Sequence, residues 1–211
     1  MSNIRPTLAL GIPTINRKDL LEEALAVYAE TFKHRHIYII DNGNQEISEN
    51  PPQIKVFNAG TNLGVAASWN AIIERQAGLG YTHILILNDD VVLHRKAQEI
   101  EAWLEHNPAD FYHCGSYCSF IIPFKTYQTM GKFDENYYPA YYEDTDYNYR
   151  LKLAEANVVT TEIILPEVLR TSKSGEKDKS LYDKVFECRK HYEQKWGGAP
   201  THETFTTPFN Q

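Results

Sequence analysis

The strongest constraint on how this chain can fold is a repeated unit: a short apolar run that stops at polar residues and is followed by a stretch with helical periodicity. Leu8 to Ile12 is the first run; it stops at Pro13, and Thr14 to Arg17 form a polar turn. Leu21, Ala24, Leu25 and Tyr28 then share one helical face. Ile37 to Ile40 is a second strand ending at Asp41-Asn42-Gly43, and Ile54 to Phe57 is a third, ending in the polar stretch Asn58 to Gly64. A helix over Val65 to about Ala77, a strand over Thr82 to Leu87 and a helix over Lys96 to His106 continue the pattern. Such alternation predicts an α/β fold, a mostly parallel central sheet with helices on both faces. Loops after Ile12, Ile40 and Leu87 then lie at carboxyl ends of strands, where open α/β sheets bind ligands.

The rhythm changes after Asn107-Pro108. Phe111 to Ile122 reads as one or two strands, Glu143 to Ala156 as a helix, and Val158 to Thr161 and Ile163 to Leu165 as further strands. Lys173 to Lys179 is a polar loop, Leu181 to Lys195 a helix stopped by Gly197-Gly198, and the last dozen residues an extended tail. A chain of 211 residues suits a single domain, divided at about 107 into two halves, with the second ending at about 198 and a tail over 199–211. A net charge of -7 argues against a nucleic-acid partner. Cys114, Cys118 and Cys188 are too few and too irregularly spaced for a disulfide framework and read as reduced thiols. With no export signal and no apolar run of membrane-spanning length, the expected location is cytoplasmic, with peripheral membrane association and oligomeric state left open.

Asn88-Asp89-Asp90 ends the fourth strand and delivers two carboxylates to one point, where a hard divalent cation and a phosphate could be held. Alternation along the strand turns Asp89 away from its neighbours, which makes Asp90 the best metal ligand and gives Asn88 or Asp89 a role in orienting water or ribose. The competing reading is a turn that caps the next segment. Downstream, Glu143, Asp144 and Asp146 open a helix, as acidic residues commonly do. Six tyrosines, at 137, 138, 141, 142, 147 and 149, surround them. Their rings could stack on a sugar or nucleotide, with Tyr138 and Tyr142 on the acceptor side, or could line an internal interface. Glu143 and Asp144 point in different directions from a helix start, so one addresses the substrate; Asp144 is the choice for a general base.

Asp41 could accept hydrogen bonds from a base or ribose, or merely close an Asx turn. Asn62-Leu63-Gly64 could be a plain loop, or could offer helix-start amides to a diphosphate. Arg17 and Arg75 are candidate phosphate or solvent contacts. Lys195 and Trp196 close a basic helix, and His202 reads either as a surface histidine or as a metal ligand reached by a folded-back tail.

Taken in order, Ile12-Pro13-Thr14-Ile15-Asn16-Arg17, Asp41-Asn42-Gly43, Asn62-Leu63-Gly64-Val65-Ala66, Asn88-Asp89-Asp90, Gly131-Lys132-Phe133-Asp134-Glu135, Tyr142-Glu143-Asp144-Thr145-Asp146 and Lys195-Trp196-Gly197-Gly198 resemble the family 2 glycosyltransferases, particularly the rhamnosyltransferase-like branch. The resemblance implies a GT-A fold and inverting transfer of a sugar from a nucleotide-diphosphate sugar (UDP-, GDP- or dTDP-linked) to a saccharide or glycoconjugate acceptor, with Mn2+ or Mg2+. By the same resemblance the first half binds the nucleotide sugar and the second carries acceptor and catalytic residues. Pro13, Thr14 and Arg17 match the opening nucleotide loop, Asp41 the base-recognising acid, and Asn62 and Gly64 the loop beside the nucleotide. Asn88, Asp89 and Asp90 match the DXD-type motif with Asp90 on the metal, Asp144 matches the base, and Lys195 to Gly198 match a closing segment near the donor or acceptor, with Glu143 and Trp196 expected on the acceptor side. Two departures stand out: Asn88 replaces the first Asp of the metal motif, and Gly131-Lys132-Phe133 replaces the usual paired glycines. The rival readings are a nucleotidyltransferase, which wants a more basic phosphate loop than Ile12 to Arg17, and a non-catalytic glycan- or nucleotide-binding module.

Overall fold

The computed structural model describes residues 5–169 and 179–211. The elements run β1 (Leu8–Thr14), α1 (Lys18–Thr31), β2 (Ile37–Asp41), β3 (Ile54–Asn58), α2 (Val65–Ala77), β4 (His83–Leu87), β5 (Val91–Val92), α3 (Ala97–His106), β6 (Phe111–His113), β7 (Ser119–Pro123), α4 (Phe124–Met130), α5 (Glu143–Leu153), β8 (Val158–Thr160), β9 (Glu167–Val168) and α6 (Lys179–Trp196). A short 3-10 helix at Pro208–Asn210 follows. The fold is α/β, built on a seven-stranded sheet of order β3-β2-β1-β4-β7-β6-β8.

Within that sheet only β7 runs against the others, pairing antiparallel with both β4 and β6. The reason is local: β6 reaches β7 through a tight hairpin, and a hairpin can join only antiparallel strands. The remaining pairings, β1 with β2 and β4, β2 with β3, and β6 with β8, are parallel. Strands from both sides of residue 107 thus share one sheet.

Alternation along the strands fills both faces. Leu85 and Leu87 pack with Leu8, Leu10 and Ile12 toward α1 and α3, whereas Ile84 and Ile86 pack with Phe120 and Ile122 toward α2, α4 and α5. The α1 face is the expected one, with Leu21, Ala24, Leu25 and Tyr28 all buried. Gly11 allows α2 to lie close on β1, because a Cβ there would come within 2.1 Å of Ile72 Cγ2. A third apolar cluster, Tyr137, Tyr149, Cys188, Tyr192 and Trp196, sits under α6.

Several expectations are corrected. β1 continues through Pro13 to Thr14, because Pro13 pairs only with Ile40 of β2 and lies past the last β4 partner, Gly11; no ladder bond on the β4 side needs its missing N–H. Ile163 to Leu165 is a turn, with Ile164 plugged into the core, and the strand falls at Glu167–Val168 against β5. The α4 helix was not anticipated. Of the polar stretch Lys173 to Lys179, residues 173–178 lie outside the described residues and Lys179 already begins α6. The tail folds back, with the Thr204 and Phe205 amides donating to the Trp196 carbonyl. Among the described residues no helix is long and apolar enough to cross a membrane.

Candidate active site

Three strand ends meet through side chains. Thr14, last in β1, donates from Oγ1 to Asp89 Oδ2 at 2.7 Å. Gln45 Nε2 donates to Thr14 Oγ1 at 3.2 Å and to Asp41 Oδ1 at 2.9 Å, while the Arg17 amide donates to Gln45 Oε1 at 2.6 Å. β1, β2 and β4 are therefore laced together just past their carboxyl ends. Gln45 escaped the sequence reading because nothing in its local pattern distinguishes it from an ordinary loop glutamine.

Asp41 is buried and heavily used by its own loop, accepting from the Gly43 amide at 2.8 Å, the Gln45 amide at 2.6 Å and the Gln45 side chain. That fills three of roughly four acceptor positions on a carboxylate, so the Asx-turn geometry is present. Asn42 takes on the neighbouring loop: its Oδ1 accepts the Leu63 amide and its Nδ2 donates to Ser68 Oγ.

Asp89 is pushed up to about 6, chiefly by burial and further by the charge of Asp90, against the opposing Thr14 hydrogen bond. Burial also raises Asp90, opposed by its own backbone amide and by the guanidinium of Arg17. The Asp90 backbone is clamped, since its carbonyl accepts the Leu169 amide at 2.9 Å beside the β5–β9 pair. Tyr28 fixes the segment from the other side, its hydroxyl donating to the Val91 carbonyl and accepting the Leu93 amide. A buried carboxylate directly beside a second one suits a cation. Among the described residues no three His, Cys, Asp or Glu side chains gather to hold a metal. Exposed His202 lies in the turn after α6, with Nδ1 3.2 Å from Thr201 Oγ1. The structure does not gather it with Asp90 and a third ligand.

Three consecutive amides at the Asn62–Gly64 loop and the start of α2 are already bonded within the protein. The Leu63 amide goes to Asn42, the Gly64 amide to Asn62 Oδ1 and the Val65 amide to the Pro139 carbonyl at 2.8 Å. Gly64 has φ +84°, and a Cβ would meet Tyr138 Cδ2 at 2.9 Å; glycine is what lets the Tyr138–Pro139 segment rest on the start of α2.

Of the six tyrosines, Tyr137, Tyr147 and Tyr149 are buried and bonded internally, to Asp146, the Gly131 carbonyl and the Phe205 carbonyl. For these three the interface reading holds. Tyr138 and Tyr141 are exposed, and half-buried Tyr142 packs on Tyr192. Asn70 fixes the Gly131–Glu135 segment, accepting the Phe133 amide and donating to its carbonyl, both at 2.9 Å. Phe133 then stacks on Tyr147 with ring centroids 4.1 Å apart.

Glu143 and Asp144 differ sharply at the start of α5. Glu143 is buried and pushed up to about 8 by burial, then by the Asp144 charge, and among the described residues its Oε2 has no hydrogen-bond partner. Half-buried Asp144 accepts the Thr145 amide on Oδ1 at 2.7 Å. Asp146, fully buried, is the hub that sequence reading passed over. It receives Arg150 Nε at 3.0 Å, Lys195 Nζ at 2.7 Å, Trp196 Nε1 at 2.8 Å and the Tyr137 hydroxyl. Lys195 also meets Asp134 at 2.7 Å. Burial alone would raise Asp134, but Lys195 and the Asn136 amide hold it well below the usual carboxylate range. Lys195 and Trp196 therefore lock α6 onto α5. The i,i+4 spacing of Asp146 and Arg150 was the available signal.

The hairpin between β6 and β7 links the two acidic sites. Burial raises the Tyr117 hydroxyl well above its usual value and the Asp144 charge adds to that, while Asp90 contributes to raising its neighbour Cys118 after the Cys114 hydrogen bond and burial. By direct contact, the Cys118 carbonyl accepts the Asn88 amide at 3.0 Å and Tyr117 donates to Asn148 Oδ1 of α5 at 2.9 Å, so one turn touches both acidic segments. An open crevice of about 570 Å³ is lined by Lys132, Asp134, Arg150 and Lys195, and each of these cations has an acidic partner.

Two solved structures share the fold. One is a mannosyltransferase from Pyrobaculum calidifontis in complex with GDP-Man and Mn2+, with a TM-score of 0.64 at 12% identity over 81% of this chain and 59% of that one. The other is GalNAc-T7 with UDP, GalNAc and Mn2+, with a TM-score of 0.67 at 10% identity over 90% of this chain and 49% of that one. This chain spans less than two thirds of either. No curated protein matches it. Residues 10–169 match the family described as glycosyl transferase family 2, well over half of the sequence, and the chain belongs to that family.

Proposed function

We propose that this protein is an inverting glycosyltransferase that moves a sugar from a nucleotide-diphosphate sugar to an acceptor hydroxyl on a saccharide or glycoconjugate. The observation that carries the reading is that one turn touches both acidic segments: the Cys118 carbonyl accepts the amide of Asn88, two residues before Asp90, and Tyr117 donates to Asn148 of the helix in whose first turn Asp144 lies. Thr14, Gln45 and Asp89 preorganise the strand ends against which the nucleotide would lie, and Arg17 beside Asp89 and Asp90 would offset diphosphate charge. Asp90 would hold a divalent cation, Mn2+ or Mg2+. When bound, such an ion supplies Lewis-acid neutralisation of the leaving nucleoside diphosphate.

The remaining chemistry falls to the chain's own groups. Asp144 accepts the proton of the acceptor hydroxyl as that oxygen attacks the anomeric carbon from the face opposite the diphosphate, which inverts the centre. Glu143 keeps its proton to about pH 8, so at neutral pH it adds no second charge beside the base. Exposed Tyr138 and Tyr141 offer the acceptor flat faces and hydroxyls. The rhamnosyltransferase-like branch and a cytoplasmic location rest on the motif pattern and composition alone.

The test pairs binding with turnover. Asp144→Asn is expected to bind donor as the parent does and to lose about 100-fold or more in transfer. Asp90→Ala is expected to weaken donor binding only when Mn2+ is present, read by calorimetry with and without the metal. Unchanged turnover in Asp144→Asn would eliminate the proposed base.

A further inference from the structure

The hairpin that touches both Asn88 and Asn148 of α5 carries two thiols. Cys114 and Cys118 Sγ atoms lie 3.7 Å apart, both side chains are partly exposed, and Ser116 Oγ donates to Cys118 Sγ at 2.9 Å. Their backbones are held near each other by the hairpin itself: the Cys114 amide donates to the Ser119 carbonyl at 3.1 Å, and His113 pairs with Phe120. Cys118 also touches the candidate site directly, because its carbonyl accepts the Asn88 amide at 3.0 Å. Cys188, the third cysteine, is buried under α6.

We propose that Cys114 and Cys118 form a redox-active dithiol that closes to a disulfide by exchange with a small-molecule disulfide, and that closure loosens the hairpin's hold on Asn88. Proximity is one argument. A disulfide needs the sulfurs at about 2.05 Å, so the present 3.7 Å contact closes by a shift on the Cys114–Ser116 side of a loop whose Tyr117 is anchored in the core and on Asn148. The second argument is polarity. The Cys118 thiol is placed to hydrogen-bond the Cys114 sulfur, which lowers Cys114 and raises Cys118; Cys114 is then the attacking thiolate and Cys118 the resolving thiol. Exchange balances as follows. Cys114 thiolate attacks one sulfur of the small disulfide and expels one thiolate, giving a mixed disulfide. Cys118, passing its proton to solvent, then attacks the Cys114 sulfur and expels the second. The protein loses two electrons and two thiol protons, and the small disulfide becomes two thiols. Drawing Cys118 Sγ toward Cys114 twists the residue whose carbonyl holds Asn88, the first residue of the Asn88-Asp89-Asp90 run.

The experiment equilibrates the intact chain with glutathione and glutathione disulfide, then counts thiols, maps the linked peptides and follows hydrogen exchange at the Asn88 amide. Two of the three thiols are expected to disappear into a Cys114–Cys118 link while Cys188 stays free. Asn88 exchange is expected to rise about tenfold and to return on reduction with dithiothreitol. Cys118→Ser is expected to stop at a mixed disulfide on Cys114, with Asn88 exchange unchanged. Persistence of all three thiols, a link that involves Cys188, or a full link with no change at Asn88 would each overturn the proposal. Donor binding to the oxidised and reduced forms adds a readout that rests on the proposed function. If donor fails to bind even the reduced protein, that function falls while the thiol and exchange results still decide the dithiol.

Discussion

Glu143→Gln isolates the least comfortable group in the candidate site. Glu143 opens α5, where the helix dipole favours a carboxylate by about 0.3–1 kcal/mol, yet burial and the adjacent Asp144 charge outweigh that and lift it from 4.5 to about 8. An acid raised in the folded state binds its proton more tightly there than in the unfolded chain. Its penalty is therefore absent below 4.5, grows as pH climbs, and is fully expressed above 8. Each pH step of that interval is worth about 1.4 kcal/mol, which sets a ceiling of about 5 kcal/mol; local relaxation should bring it to about 2–4 kcal/mol. Glutamine has the shape of the protonated acid and leaves the same orphaned position at Oε2, so the variant should match the parent near pH 5 and exceed it by that margin at pH 9. Urea unfolding followed by circular dichroism at pH 5, 7 and 9 measures the difference. A constant offset between parent and variant across that range would refute the burial argument, because it would mean that Glu143 titrates alike in folded and unfolded chains.

Asp146→Asn should cost about 3–5 kcal/mol, the loss expected when one side of a buried ion-pair cluster is neutralised, and should lower the melting temperature by about 10 °C; a change under about 2 °C would show that Lys195 and Arg150 do not depend on it. Gly64→Ala should destabilise by about 1–3 kcal/mol, since a side chain is strained at φ +84° and would press on Tyr138. The same denaturation assay reads it, and a neutral result would mean that the Tyr138–Pro139 segment yields freely.

Much of the fold was legible in the sequence because period-2 and period-3.6 apolar patterns are local properties. The first five strand and helix assignments stand on them, as do α3, α5 and α6. What failed was what depends on distant partners. Pro13 looks like a strand stop, yet it continues β1 because β4 has already turned away. Tyr137, Tyr147 and Tyr149 look like a ligand-stacking surface, yet they are core, since α6 and the tail cover them.

The sequence by itself determined the α/β class, the polar groups that follow apolar runs at Asp41 and at Asn88 to Asp90, and the acidic start of α5, because side-chain chemistry at the end of an apolar run follows from order alone. Only the tertiary structure decided what those groups do. It joined Thr14 to Asp89 through the strand order and closed the Leu63 and Val65 amides against Asn42 and Pro139. It also made Asp146 an anchor, buried Glu143 until it holds its proton, and brought Cys114 against Cys118 beside Asn88. Burial and long-range hydrogen bonding are set by the pieces of chain that come together in space, and no local pattern records them.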